Sequence, residues 1–332
     1  MKAVLMMRAG EPDALQLADV PVPTAGEREV LVRLQAAGIN PLDTKVRKLH
    51  MYYPDNLPAV LGCDGAGVVE VVGNGVTRFR TGDEVYFFNN GIGAAPGAYA
   101  EYTVVHEDYL ARKPAKLSMI EAAALPLVLI TAWEALIDRV ALKAGETVLV
   151  HAGAGGVGHI AVQLARNAGA RVAATVSSAD KARYVETHGA ERTIDYRQHD
   201  FVKETLAWTG NRGADVVFDT LGGRTFCGSF DAVRLYGRLA TLLSTVCELP
   251  QINRARLRNI TVSYVQMTTP LYFGNHELRC AQTRILERGS ELADAGKLSV
   301  KVSEVLPLAE AATAHRIVEE GHTFGKVVLR ID

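Results

Sequence analysis

The strongest constraint on this chain is a glycine-rich run set between an apolar strand and an amphipathic helix. Gly153, Gly155, Gly156, Val157 and Gly158 fall within a stretch spaced G-x-G-x-x-G. It follows the apolar residues 148–150 and opens a helical pattern over 156–167, where Val157, Ile160, Ala161, Leu164 and Ala165 share one face. Gly169 supplies a stop. Without β-carbons, the backbone can turn sharply out of the strand and approach a pyrophosphate at the positive end of the helix. These five residues are therefore candidate cofactor ligands, against the plainer reading of a glycine-rich turn that holds nothing.

From that turn onward, strands and helices alternate. Strand-like segments at 147–151, 171–176, 192–195, 215–219, 237–243 and 260–265 are separated by amphipathic stretches, the pattern of a doubly wound α/β fold with a parallel sheet. The front third reads differently. Short β-rich runs at 30–34, 67–72 and 84–88 end in glycine or asparagine turns and suggest a barrel or sandwich. Ser118 and Glu121 form a capping-box pattern where the grammar changes, ahead of an apolar stretch and a further helix over 133–140. After residue 265 come a helical segment at 281–295 and a strand at 326–331, expected to rejoin the front. A chain of 332 residues exceeds what one core usually organises. The expected division is 1–125, 126–265 and 266–332, the first and last forming one domain.

Charge narrows the partners. With 36 basic against 37 acidic residues and no block of like charge, the chain has no electrostatic footprint for nucleic acid or an anionic membrane. The N-terminal apolar run is broken at Arg8 and Glu11, which implies no export signal. The most apolar stretch, 122–136, carries Pro126 and Glu134 and is too short to span a bilayer, so it reads as buried core. Cys63, Cys227, Cys247 and Cys280 show no regular spacing. They are expected to be reduced, small buried hydrophobes in a cytoplasmic protein.

Cofactor preference is written at the end of the second strand of the alternating half. An NAD site usually places an acidic residue there to accept from the ribose 2′-hydroxyl. Here the chain has Ser177 and Ser178, with Lys181 one turn on. Hydroxyls and a lysine suit a 2′-phosphate, so NADPH is expected over NADH. The competing reading makes Ser178 a helix cap and Lys181 a solvated surface residue.

Several runs, in order along essentially the whole chain, carry a family resemblance. Residues 38–43 (GINPLD), 97–102 (GAYAEY), 129–133 (LITAW) and 151–158 (HAGAGGVG) resemble the zinc-independent quinone oxidoreductases, the zeta-crystallin-like group of the medium-chain dehydrogenase/reductase superfamily. The resemblance implies a Rossmann domain beside a GroES-like, mostly-β catalytic domain. It also explains what is missing. Where zinc-dependent members have a cysteine and a histidine, this chain has Asn40 and Cys63; the region near Leu129 is apolar, and 87–97 lacks a four-cysteine lobe. No zinc is expected, since a tetrahedral site takes at least three protein ligands. His315 and Glu319, one helical turn apart, read as a solvated helix face.

The same resemblance implies the roles. Asn40 and Thr131 lie beside the nicotinamide, and Tyr53 lines the substrate cleft, where its phenol can orient or protonate the product. Tyr196 lies near the adenosine phosphate, and Asp64 is structural. Leu221 and Gly222, after the fourth strand, border the cofactor as ligands do at the ends of open α/β sheets. The family often has a tyrosine shortly after the 38–43 run, and this chain has Lys45. The expected activity is NADPH-dependent reduction of a quinone or conjugated enone. An enoyl reductase for carrier- or CoA-linked substrates and a non-catalytic NADPH-binding protein are the alternatives. The β-branched segment 260–265, at a sheet edge, suggests a homodimer.

Overall fold

A computed structural model describes residues 1–49, 51–53, 55–243 and 245–332. The chain divides into two compact units, Met1–Ile130 with Thr268–Asp332, and Thr131–Met267.

The second unit is the doubly wound sheet. Its six strands are parallel and run in the order Arg192–Asp195, Arg171–Val176, Thr147–Val150, Ala214–Asp219, Val233–Thr241, Thr261–Tyr264. The order reverses at Thr147–Val150, so the glycine run leaves the sheet at its topological switch point. Helices cover both faces of such a sheet, and its central strands are accordingly apolar throughout: all of Thr147–Val150 is buried. The helix opened by the glycine run, Gly158–Asn167, starts two residues later than its pattern suggests, because 152–157 form the turn.

The first unit is built on a seven-stranded sheet. Lys326–Arg330 lies between Val302–Pro307 and Glu29–Ile39, which pairs in turn with Asp64–Val72 and, further along, Tyr102–His106; Glu84–Phe88 and Leu110–Arg112 follow. A three-stranded sheet of Leu15–Asp19, Lys2–Met6 and Ala59–Val60 accompanies it. The C-terminal strand rejoins the front as expected, but Val302–Pro307 and the helix Ala311–Glu320 carry no clear sequence signal. The apolar stretch resolves into Pro126–Trp133, an α-helix, followed by a π-helical segment, Glu134–Arg139. Among the described residues, no helix is long and apolar enough to cross a membrane.

Two expectations need correction. Cys227 and Cys247 are joined by a disulfide, not reduced. They stand 20 residues apart, and the intervening strand Val233–Thr241 carries the chain back until their Cα atoms are 5.7 Å apart, a proximity no local spacing reveals. Nor is the His315–Glu319 face wholly solvated, although Glu319 keeps solvent exposure. His315 is fully buried, and Glu319 pairs with the buried Arg47 at 2.5 Å, because this face of its helix packs on the helix Pro41–Leu49.

Closing a loop of this size removes denatured-state entropy worth about 2–4 kcal/mol. Cys247→Ser should lower the unfolding free energy by roughly that amount. Thiol titration of the unreduced, unfolded chain should find Cys63 and Cys280 alone; reaction at all four cysteines would remove the bridge.

Candidate active site

In the second unit, polar side chains beneath the glycine turn hold it in shape. Ala152 adopts the left-handed region (φ 49°), its N–H donates to Thr175 Oγ1 at 2.9 Å, and the Gly153 N–H donates to the Thr175 carbonyl at 2.9 Å. The Thr220 hydroxyl donates to the His151 carbonyl at 3.0 Å, and His151 Nε2 meets Ser229 Oγ at 3.0 Å. Burial pushes His151 down to about 3, so the ring is a neutral hydrogen-bonding strut. A β-carbon on Gly158 would lie 2.0 Å from the Ala152 carbonyl oxygen, and one on Gly153 2.6 Å from the Ala174 side chain. Only glycine permits this turn. Among the described residues, nothing accepts the N–H groups of Gly156, Val157 and Gly158. Three free amides at the start of a ten-residue helix fit a pyrophosphate.

Next to this turn, the ends of the neighbouring strands supply the other expected residues. Ser177 is buried; Ser178 caps the helix Ala179–Thr187, its hydroxyl accepting from the Lys181 N–H at 3.3 Å. Capping does not exhaust that hydroxyl. Lys181 is half-buried, and its ammonium is held below its ordinary value by burial and then by the neighbouring charge of Arg197. Arg197 escaped sequence reading. It follows the expected Tyr196, which is half-exposed, its N–H bound to the Val176 carbonyl. Two cations pressed together beside two serines form a place that a dianion would relieve. On the far side of the switch point, buried Asp219 accepts from the N–H groups of Leu221 and Gly222 and from the Thr241 hydroxyl. Gly222 has a φ of 68°, and Leu221 is exposed. Thr131 is buried in Pro126–Trp133.

In the first unit, Asn40 ends the long strand Glu29–Ile39 and is wholly buried. Its Nδ2 donates to Asp64 Oδ2 at 2.9 Å, and its Oδ1 accepts from Lys326 Nζ, which also donates to the Ile39 carbonyl at 2.9 Å. Lys326 lies 3.8 Å from Asp64. Asp43 accepts from the Asn40 N–H at 2.8 Å and from the Tyr99 hydroxyl at 3.1 Å, and Tyr99 meets His315 Nε2 at 3.1 Å. Sequence reading named Asn40 and Asp64, held Asp43 and Tyr99 within the runs 38–43 and 97–102 without giving them a role, and missed Lys326, which comes from the far end of the chain.

Two buried acids share one buried cation. Burial pushes Asp43 up to about 7, and Asp64 up to about 6 against the pull of Lys326. Asp43 Oδ1 has no partner among the described residues. A buried carboxylate with an orphaned oxygen is costly, whereas a carboxyl tolerates one better, so the proton belongs on Asp43 while Asp64 pairs with Lys326. His315 is driven down to about 3, first by burial and then by Arg47.

Tyr53 stands in an aromatic group. Its ring is 6.1 Å from Tyr272, whose ring is 5.2 Å from Tyr52 and 5.0 Å from Phe273. The Tyr52 hydroxyl meets Thr268 Oγ1 at 3.2 Å. Tyr272 and Phe273, from the C-terminal part of the first unit, add to the aromatic side chains around Tyr53.

Known proteins are similar to this chain in sequence and in fold. Residues 26–115 match the family described as alcohol dehydrogenase GroES-like domain, and 188–329 the one described as zinc-binding dehydrogenase. A quinone oxidoreductase of Pseudomonas aeruginosa is 34% identical over 328 residues, covering 99% of each chain. The chain belongs to the quinone oxidoreductase group of the medium-chain dehydrogenase/reductase superfamily. It is an oxidoreductase with a Rossmann domain and a GroES-like domain. Its fold matches the Escherichia coli quinone oxidoreductase solved in complex with NADPH, with a TM-score of 0.86, 30% identity and coverage of 99% of this chain and 100% of that one. A structure described as an NAD-dependent alcohol dehydrogenase matches with a TM-score of 0.91, 38% identity and full coverage of both chains.

The acid pair sets a pH dependence. Because Asp43 titrates above its ordinary 3.8, its contribution to stability is complete below about pH 4 and is lost as the pH rises toward about 7. Asp43→Asn keeps an acceptor for the Asn40 N–H and removes the titration. The variant's unfolding free energy should decline less between about pH 4 and pH 7 than the wild type's; identical slopes would mean that Asp43 ionises freely.

Proposed function

We propose that the chain transfers hydride from NADPH to quinones or other electrophilic conjugated carbonyls without a metal ion. The observation that carries this reading is the lysine at Asn40 and Asp64. In zinc-dependent members the corresponding region holds a divalent ion, whereas here the positive charge is the Lys326 ammonium, already hydrogen-bonded and paired with Asp64. The nearby thiol of Cys63 is fully buried, and burial holds it far above its ordinary value, in the protonated form that does not ligate. An ion entering there would have to displace a satisfied ammonium and strip a proton from an inaccessible thiol.

Without a Lewis acid, a simple ketone or alcohol lacks stabilisation of the developing alkoxide. A quinone or enone spreads the incoming charge over its own π-system and asks less of the protein. NADPH, when bound, supplies the hydride. The protein's task is then placement. The amides of Gly156, Val157 and Gly158 would donate to the pyrophosphate, with Gly153 and Gly155 shaping the turn. Ser177, Ser178, Lys181 and Arg197 would hold the 2′-phosphate, with Tyr196 alongside, and Leu221 and Gly222 would border the cofactor. Thr131 offers a hydroxyl, and Asn40 a second N–H whose direction is fixed by its bonds to Asp64 and Lys326. Tyr53, with Tyr52 and Tyr272, offers an aromatic surface and a phenol for proton delivery. A homodimer goes with this reading: Thr261–Tyr264 is an edge strand, and its Tyr264 is exposed, open to two-fold strand pairing. A cytoplasmic site of action belongs to the same proposal, with Cys227 buried in the core and its disulfide partner Cys247 partly exposed.

The test compares NADPH and NADH oxidation with 1,4-benzoquinone, 9,10-phenanthrenequinone and a simple enone, with and without a chelator. Quinone turnover with NADPH should be highest and indifferent to chelation. Each lost charge-assisted contact costs about 1.5–3 kcal/mol, so Lys181→Ala and Arg197→Ala should each lower kcat/KM for NADPH roughly 10- to 100-fold and leave NADH nearly unchanged. Equal use of both cofactors, unaffected by either substitution, refutes the NADPH assignment; loss of turnover on chelation refutes the metal-free chemistry.

A further inference from the structure

Outside the residues given a role above, the first unit gathers Asp108, His276 and Cys280, whose ligand atoms all lie within 4.8 Å of one another. Asp108 sits in the short 3-10 turn Glu107–Tyr109. His276 opens the helix His276–Asp294, and Cys280 follows one turn later on the same face. His276 Nε2 is 3.5 Å from Asp108 Oδ2 and 3.5 Å from Cys280 Sγ. His106 Nδ1 is 3.6 Å from the same Asp108 oxygen. Ligand atoms around a tetrahedral zinc ion stand roughly 3.3–3.8 Å apart, given bonds of about 2.0–2.3 Å. We propose that Asp108, His276 and Cys280 form a binding site for a thiophilic divalent cation of the zinc class, with the fourth position left to water; His106 Nδ1 is engaged by the Asp108 N–H.

Three further features support the site. The first is the orientation of the histidine: His276 Nδ1 is 2.9 Å from the Tyr109 hydroxyl, which fixes the ring and leaves Nε2 facing Asp108 and Cys280. The second is charge. Arg28 lies 3.2 Å from Asp108 and Arg78 3.8 Å, but each has another carboxylate: Arg28 Nε binds Glu107 at 2.9 Å, and Arg78 Nη2 binds Glu287 at 2.6 Å. A cation can therefore take Asp108 without stranding either arginine. The third is access, since the His276 side chain is 57% exposed. Binding removes the Cys280 proton to solvent. Because the ligands bind in their deprotonated forms, affinity should increase with pH. None of these ligands is among the residues assigned to hydride transfer, and the role of the site would be to tie the 107–109 turn to the helix.

Titration of the unreduced, metal-stripped protein with Zn²⁺ alone and with Co²⁺ alone tests the site. One ion per chain should bind, the Co²⁺ form showing a thiolate-to-metal absorption band and the Zn²⁺ form a raised Tm. Cys280→Ser should abolish the band. His276→Ala should weaken binding on the order of 100-fold or more, and Tyr109→Phe about 10- to 100-fold, as loss of an orienting partner does. Quinone turnover should be the same with and without the ion, which separates this site from the catalytic reading. A missing thiolate band, a band that survives Cys280→Ser, or binding unchanged in His276→Ala overturns the proposal.

Discussion

A buried ammonium organises the catalytic half of this enzyme. Lys326 enters from the C-terminal part of the chain, and its charge is balanced by Asp64, while Asn40 bridges the two with opposite ends of one amide. Burying a charge costs several kcal/mol unless it is paired and hydrogen-bonded, so this contact is either complete or strongly destabilising. Its completeness fixes which way the Asn40 amide points, and the Asn40 N–H in turn anchors Asp43, which leads through Tyr99 to His315. The network extends the influence of one strand-end residue across two helices and a sheet.

The nucleotide-binding half solves a different problem with similar means. A turn half made of glycine has few side chains to pack, and it is held by neutral donors and acceptors: Thr175, Thr220, and His151 with Ser229 behind it. Asp219 does the same for the 221–222 turn across the switch point. Rigid support of this kind leaves the outward amides free and pre-aimed, so ordering them on ligand binding costs little.

Much of this was legible in the residues. The alternation of strands and helices after residue 147, the glycine turn and the serine-lysine pair each depend on neighbours in sequence, and each is where the pattern puts it. What escaped depends on distance. Lys326 looks like the start of an ordinary terminal strand; only the pairing of Val327 with Ile39 carries it to Asn40. The His315–Glu319 pair has the spacing of a solvated helix face, yet His315 is buried and Glu319 pairs with Arg47. Cys227 and Cys247 pair only because a whole strand returns between them. Arg197 is one residue beyond a position that was singled out, and its value comes from lying beside Lys181, which no local pattern encodes.

The seven-stranded sheet also bears on how the molecule is made. Its strand Glu29–Ile39 must wait for Lys326–Arg330, nearly the full length of the chain away, whereas Thr131–Met267 is continuous and has all its strands within reach of one another. On a ribosome, the nucleotide-binding unit can mature while Asp64 still lacks its counter-charge. The loop closed by that late pairing is long, but its entropic cost grows only with the logarithm of its length. The first unit can complete its sheet only after residues 326–330 have been made, and only then can Asp64 gain the lysine that balances its charge.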